Sequence, residues 1–530
     1  MNFNKLAILF LVMLVAMSSC TKDLDITPQD DQDLLGEDFF ANETSYKQLL
    51  AGVYANLSLT GVDGPGSSNI QGLDAGTSQF GRVLLYLQTL SADEMIWSYE
   101  NDPGTRDIQR NIWNANDPII LGMFGRTHVT IAFANNFLRE TSDEKLTARN
   151  VSAATKTEIV RYRAEARLLR AMSYYYMMDL FGQANFATEN DAINAKPIVY
   201  NRQQLFDFVE SELKAIEGDL ADPKANEHGR ADKGVAWMIL AKIYLNAQVY
   251  TGQNKNTECV TYCKKIIGAG YSLASNYSYN FLADNNTNEA AQKEIIFPLI
   301  NDGVVTQNFG ATTIIINGEV GSLENNATAL GAQGWGGALR VRKQFSERFL
   351  TGEVPLSDTR NSLITNGRSA DISDIGDRDT GYIITKFKNI TSTGVPGADP
   401  TFVDTDFPMF RLADVYLMYA EAVVRGGAGG TISEAVDFVN LLRNRAHSST
   451  ITSANLTLDF LIKERSRELY WEGHRRQDLV RFGLFTGGNY NWAWKGGSQN
   501  GIALPNHLNI YPLPVNSMAA NHNLTQNPGY

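Results

Sequence analysis

The sequence predicts a mostly α-helical fold with an inserted loop-rich region of short strands. Over long stretches near both ends of the chain, apolar residues recur at steps of three and four, the periodicity of amphipathic helices. Between residues 271 and 408 this periodicity stops, and glycine, asparagine, serine and threonine dominate. The 530-residue chain is 43% hydrophobic and 20% charged, a composition that supports a large globular core.

The N-terminus predicts export and a lipid anchor. Lys5, an apolar run at 6–17 and two small residues precede Cys20, which is the pattern of a secretory signal. The run is shorter than the roughly 20 residues needed to span a bilayer. Because Met17-Ser18-Ser19-Cys20 also resembles a bacterial lipoprotein signal, we predict a signal peptide at 1–19, with a lipidated Cys20 and an acidic tether at 20–37. An ordinary signal peptide with a chance cysteine is the alternative.

Residues 38–270 are predicted to form an N-terminal helical half. Its richest helix covers Ala153–Phe181, where two apolar stripes lie side by side, so that most of its surface should be buried. An alanine followed by a tyrosine three residues later places a small and a large residue on one helical face, as in tetratricopeptide repeats. This pair recurs in LAGVY (50–54), RAMSY (170–174), LAKIY (240–244) and LADVY (412–416). The sequence therefore predicts tetratricopeptide-like helix pairs.

The rest of the chain divides into two further regions. Residues 271–408 carry short apolar segments such as EIIFPLI, TTIII and GYIITKF among polar loops, so we predict loops and short strands that form a ligand face. Helical periodicity resumes in the C-terminal half, 409–530, which ends in an extended tail.

Charge and cysteine content exclude several classes of function. The net charge of −12 argues against nucleic-acid binding, which requires a concentrated basic surface. Cys259 and Cys263 are four residues apart and therefore lie on the same face of a predicted helix. They are either two buried thiols, which we favour, or a local disulfide. Because suitable ligands are not close by in sequence, we expect no metal site and no cofactor.

Short motifs across residues 170–530 resemble one family. They are RA (170–171), FG (181–182), RLADVY (411–416), YAEA (419–422), ER (464–465), EL (468–469), EGHR (472–475), DL (478–479), YPLP (511–514) and NLTQNPGY (523–530). Together they resemble the SusD/RagB family of Bacteroidetes outer-membrane lipoproteins. The resemblance implies a tetratricopeptide-like fold and a SusC-like TonB-dependent transporter as partner. It also implies capture of a nutrient, usually an oligosaccharide, without catalysis.

Sugar binding requires aromatic faces beside polar groups, and two loop regions supply both. The segment 91–107 holds Trp97 and Tyr99 near Asp93, Asn101, Asp102 and Arg106. The segment 325–345 places Trp335 in a glycine-rich stretch with Asn325, Asn326 and Gln333. We predict a ligand-binding surface built from Trp97, Tyr99, Asn101, Trp335, Arg106 and Asp93, with the tryptophans exposed. A third cluster, Tyr490, Trp492 and Trp494, suits docking or packing as well as sugar binding.

Three other functions are compatible with the sequence. Glu468, Glu472 and Asp478, with His474, could be the carboxylates and proton carrier of an α-helical glycosidase. Interleaved arginines favour ion pairs at these positions, and the chain has no G-x-S-x-G, H-E-x-x-H or phosphate-loop motif. The family resemblance also covers peptide importers, so a peptide-binding lid is a second alternative. A helical-repeat scaffold that binds only proteins is the third.

Overall fold

The structure is a computed structural model that describes residues 36–193 and 195–530. The signal at 1–19, Cys20 and nearly all of the 20–37 tether lie outside the described residues. Among the described helices, none has the length and apolar character needed to cross a membrane. The α-helices are α1 (Gly36–Phe39), α2 (Ser45–Ser58), α3 (Phe80–Leu85), α4 (Thr105–Gln109), α5 (Pro118–Glu140), α6 (Asp143–Ala148), α7 (Ala153–Phe181), α8 (Arg202–Ile216), α9 (Lys233–Leu245), α10 (Ala247–Thr251), α11 (Asn256–Ile267), α12 (Glu289–Glu294), α13 (Ala311–Gly318), α14 (Ala327–Leu330), α15 (Lys343–Leu350), α16 (Leu412–Val424), α17 (Ile432–Arg445), α18 (Leu458–Leu469), α19 (Arg475–Arg481) and α20 (Val515–Ala520).

The strands of the described residues form small antiparallel pairs. They are β1 (Met95–Trp97) with β5 (Leu339–Val341), β2 (Gln183–Phe186) with β3 (Ile198–Asn201), β4 (Ile295–Leu299) with β8 (Phe407–Arg411), and β6 (Leu363–Ile364) with β7 (Ile383–Ile384). The pairs β1–β5 and β4–β8 join segments far apart in sequence. They attach the inserted region to the helices before and after it.

The longer helices pack against one another in pairs, which confirms the predicted mostly α fold. Helix α5 packs on α7, α7 on α8, α9 on α11, α11 on α16, and α16 on α17. The longest of them, α7, has the predicted bounds, and most of its C-terminal half is buried. The Ala-x-x-Tyr pairs of α7, α9 and α16 are buried at these contacts, whereas Ala51 of α2 is exposed.

The inserted region contains more helix than the sequence predicted. EIIFPLI contains β4 and GYIITKF contains β7, as expected, but TTIII belongs to the helix α13. A short apolar run has the same pattern in a strand and in a helix buried on all sides. All eight residues of α13 are buried, so tertiary packing overrides the strand preference of its isoleucines. One hydrophobic core includes residues from Phe40 to Leu524 and continues through this region. The boundaries predicted for the three regions, at 38–270, 271–408 and 409–530, therefore stay a prediction.

The cysteine prediction is confirmed. Cys259 and Cys263 are both buried and free on α11, with sulfur atoms 4.0 Å apart. The described fold therefore depends on packing and ion pairs, as expected for a chain with so few cysteines.

Candidate ligand-binding surface

Three of the predicted aromatic residues come together in space. The ring centroids of Trp97 and Tyr99 are 5.7 Å apart, and those of Trp97 and Trp335 are 6.1 Å apart, both in edge-to-face geometry. The pairing of β1 with β5 brings the two sequence regions together, with Trp97 opposite Leu339. The fold therefore brings the two loop regions into contact.

Trp97 is the buried centre of this aromatic cluster. It is only 2% exposed, so the expectation of an exposed Trp97 is wrong. The side-chain amide of Gln109 holds its backbone, accepting from the Trp97 N–H (2.9 Å) and donating to the Trp97 carbonyl (3.1 Å). The indole also lies against Gly318, where an added Cβ would be 2.8 Å from the ring. Because Trp97 lies in a paired strand rather than a free loop, it supports the cluster from below.

Tyr99 and Trp335 form the accessible part of the cluster. Tyr99 is 38% exposed and Trp335 is half-buried. The Tyr99 hydroxyl donates to the Trp335 carbonyl at 2.8 Å and lies 3.1 Å from an Nη of Arg378. The Trp335 N–H in turn donates to the carbonyl of Asn317 at 2.8 Å. The two rings are thus held in a fixed relation, which a rigid ligand such as a sugar ring requires.

A polar pocket adjoins the aromatic cluster, and sequence reasoning did not find it. It has a volume of about 300 Å3, and its wall includes Asp74, Arg82, Tyr86, Asp102 and Phe309. Asp102 links the two features, because its Oδ2 accepts a 2.8 Å hydrogen bond from the Trp97 indole. Tyr86 opens a π-helical turn, Tyr86–Leu90, a local irregularity frequent at functional sites.

The pocket offers hydrogen-bond donors and acceptors at close quarters. Arg82 forms no ion pair among the described residues and donates to the Tyr86 hydroxyl at 3.1 Å. Asp74 accepts from the Thr77 N–H and hydroxyl through Oδ1, and its Oδ2 has no partner among the described residues. Burial raises the pKa of Tyr86. The carboxylates of Asp102 and Asp74 raise this pKa further, whereas the guanidinium of Arg82 lowers it. A planar guanidinium beside carboxylates and a hydroxyl can pair with neighbouring hydroxyl groups of a sugar.

The other predicted polar residues have different positions. Asp93 has no exposed surface and forms a two-bond ion pair with Arg475, at 2.6 and 2.7 Å, so its predicted place on the ligand surface is wrong. The prediction relied on the closeness of Asp93 to Trp97 in the sequence, but the Asp93 side chain, just before β1, is buried in the core. Asn101 and Arg106 are exposed beside the cluster, and Arg106 pairs with Asp107 at 3.2 Å. Their contact with a ligand stays a prediction.

Asp117 lies beneath the loop that carries Tyr99 and Asp102. Its Oδ1 caps α5 by accepting from the Ile119 N–H at 2.9 Å, and a Cβ on Gly104 would lie 2.8 Å from the same oxygen. Burial raises the pKa of Asp117 to about 7, although amide donors such as the Ile119 N–H lower it. Below about pH 7 the neutral acid is therefore favoured in the folded state.

This shift predicts a pH-dependent stability. Because the folded chain keeps a proton that the unfolded chain has lost, the free energy of unfolding should fall as pH rises from about 4 to about 7. Asp117→Asn keeps a capping acceptor and removes the titration. Chemical denaturation should give nearly equal stability for Asp117→Asn and parent near pH 4, and a variant more stable by about 4 kcal/mol near pH 8. The same difference at both pH values would contradict the assignment.

Comparison with known proteins decides the family. The chain is 34% identical to the starch-binding protein SusD of Bacteroides thetaiotaomicron, over 99% of this chain and 98% of that protein. The sequence profile of the SusD family matches residues 269–530. The chain belongs to the SusD family. The resemblance drawn from the motifs is thereby confirmed.

Two further proteins are similar over nearly the whole chain. The SusD-like protein P25 of Formosa agariphila is 24% identical over 97% of this chain and 96% of its own length. The surface glycan-binding protein A of B. thetaiotaomicron, solved in complex with laminarihexaose, superposes with a TM-score of 0.67 at 19% identity. That superposition covers 91% of this chain and 98% of the other, which shows a common fold.

The C-terminal motifs of this SusD-family chain form a buried network of ion pairs. Arg411 bonds Glu468 at 2.7 Å and Glu472 at 2.6 Å, and Arg465 bonds Asp478 at 2.8 Å. Burial alone would raise the pKa of Glu468, but Arg445, Arg411 and Arg360 outweigh it and hold this pKa below its ordinary value. His474 is buried beside Lys242, and both the burial and the positive charge of Lys242 lower the pKa of His474. An ionised, solvent-inaccessible Glu468 has the environment of a structural ion pair.

The third aromatic cluster of the SusD-family chain is also structural. Trp492 has no exposed surface, and the Tyr490 hydroxyl donates to Asp93 at 2.5 Å. Trp494 lies under the guanidinium of Arg110, 4.5 Å from its ring centroid, and its indole donates to the Ile372 carbonyl. Of the two roles that the sequence left open beside sugar binding, packing is the one these contacts support.

Proposed function

We propose that this chain binds a glycan at the cell surface and delivers it to a SusC-like TonB-dependent transporter. The single observation that carries the proposal is the accessible pair Tyr99 and Trp335, held rigidly beside the Asp74–Arg82–Asp102 pocket. An aromatic face next to a guanidinium and carboxylates matches a pyranose, whose C–H face is apolar and whose edge is lined by hydroxyls. A starch-binding relative and a fold neighbour solved with laminarihexaose support a glycan as the ligand class.

Anchoring and delivery form the second part of the proposal. The sequence before Cys20 supports export and lipidation, and two or more acyl chains would hold the protein firmly at a membrane surface. Membership of the SusD family supports a SusC-like transporter as partner. The protein binds its ligand without cleaving it, because the carboxylates of the C-terminal motifs are engaged in buried ion pairs.

A glycan array probed with the full-length protein tests the ligand class. We expect saturable binding to at least one neutral oligosaccharide or polysaccharide and no binding to a peptide library. The bound glycan, incubated with the protein, should release no new reducing ends over time. Binding confined to peptides would favour the peptide-importer alternative, and sustained release of reducing ends would favour a glycosidase. Either result would overturn the proposal.

A further inference from the structure

A second pocket lies far along the chain from the aromatic cluster, between the helical pairs. It has a volume of about 360 Å3, within the range of small-ligand sites. Its wall includes Tyr244, Gln248, Lys255, Arg425 and Arg481. Three of these side chains are cationic, and no carboxylate is among the described residues of the wall. In a chain with a net charge of −12, such a lining is unexpected.

Two of the cations have donors to spare. The Lys255 ammonium forms a long ion pair with Glu258, at 3.6 Å, and has no hydrogen-bond partner among the described residues. It lies 5.7 Å from the ring centroid of Tyr244, with its side chain only 21% exposed. Arg425 bonds Glu421 through Nε at 2.8 Å, and neither of its Nη atoms has a partner among the described residues. An anion in the pocket would be favourable, because it could accept charge-assisted hydrogen bonds from the donors that these two cations leave free.

The remaining polar groups of the pocket strengthen this charge bias. Arg481 is the third cation of the wall, and its donors are already hydrogen-bonded to Glu421, Asp478 and Asn246. The side-chain amide of Gln248 has no partner among the described residues and adds a neutral donor. Helix α11 begins at Asn256 on the pocket wall, so the positive end of its dipole lies at the pocket. Leu245 and Val249 add apolar surface to the wall.

We propose that this pocket binds an oxyanion, carried either by a small free molecule or by the acidic side chains of a partner protein. The Lys255 ammonium and the two Nη atoms of Arg425 hold the anion, and Gln248 hydrogen-bonds one of its oxygens. The site is separate from the proposed glycan surface. Its occupation therefore neither requires nor prevents glycan binding.

Titration calorimetry with sodium sulfate, against sodium chloride at equal ionic strength, tests the site in the full-length protein. We expect saturable heat with sulfate only, and an affinity at least 10-fold weaker in Lys255→Gln. Lys47→Gln removes an exposed lysine elsewhere and should bind like the parent. Arg425→Gln serves as a second variant, and thermal melts establish that both pocket variants are folded. Glycan affinity should be unchanged in Lys255→Gln, which separates this test from that of the proposed function.

The source of the anion follows from parallel titrations with inorganic phosphate and with an oligo-aspartate peptide. Sulfate and phosphate binding without peptide binding identifies a free small anion, whereas tighter peptide binding identifies the acidic side chains of a partner. In both cases Lys255→Gln must weaken the interaction. Heats for sulfate equal to those for chloride, or unchanged sulfate affinity in folded Lys255→Gln and Arg425→Gln, would overturn the proposal.

Discussion

Replacing Glu468 by glutamine is expected to lower the free energy of unfolding by about 3–5 kcal/mol. Glu468 has no exposed surface and accepts from Arg411 at 2.7 Å, from Arg360 at 3.2 Å and from Arg445. Glutamine keeps the shape of the side chain but removes its charge, so the buried guanidinium groups lose part of their compensation. Urea denaturation followed by circular dichroism measures the change.

An exposed ion pair supplies the matched control for this variant. Glu289 pairs with Lys293 one helical turn away on the surface, so Glu289→Gln should leave the denaturation midpoint unchanged. At urea concentrations below its unfolding transition, where it is still folded, Glu468→Gln should bind glycan like the parent. Parent-like stability in Glu468→Gln would contradict the structural role assigned to this glutamate. Loss of a sustained glycan cleavage activity in the folded variant would instead identify a catalytic carboxylate.

Replacing both Tyr99 and Trp335 by alanine is expected to abolish measurable glycan binding. Each ring should contribute as an aromatic hot spot does, about 2 kcal/mol or roughly 30-fold in the dissociation constant. Because Tyr99 is exposed and Trp335 half-buried, the variants should stay folded, whereas truncating the buried Trp97 would open the core. Titration of each variant with the glycan found on the array measures the loss.

Two further variants show whether the effect belongs to this surface. Phe133 is 44% exposed outside the cluster, so Phe133→Ala should bind like the parent. Tyr99→Phe keeps the ring but loses the hydroxyl that bonds the Trp335 carbonyl, so its affinity should fall between those of parent and Tyr99→Ala. If the folded double variant keeps the affinity of the parent, the aromatic cluster is not the binding surface.

The fold was largely predictable because long helices carry their pattern in the local sequence. The bounds of Ala153–Phe181 follow from apolar periodicity and from Gly182, whose positive φ of 67° ends the helix. Short elements lack this information. The strand that buries Trp97 exists only because residues 339–341 pair with it across more than 240 positions, and no local pattern reports that pairing.

The candidate site was predictable only in part, for the same reason. Tyr99 and Trp335 are aromatic residues in polar loops, a signal that can be found from sequence alone. Asp74 lies in a glycine- and serine-rich segment without periodicity, and Arg82 lies in a short helix, so neither is distinguished from other surface charges. Asp93 was misassigned because its partner Arg475 is 382 residues away.

The most direct test of the central claim is a crystal structure of the protein with the oligosaccharide that binds on the array. We expect an uncleaved glycan with a pyranose ring against Tyr99 and Trp335 and with hydroxyl groups bonded to Asp74, Arg82 or Asp102. A sugar bound elsewhere, with the aromatic pair left empty, would contradict the account.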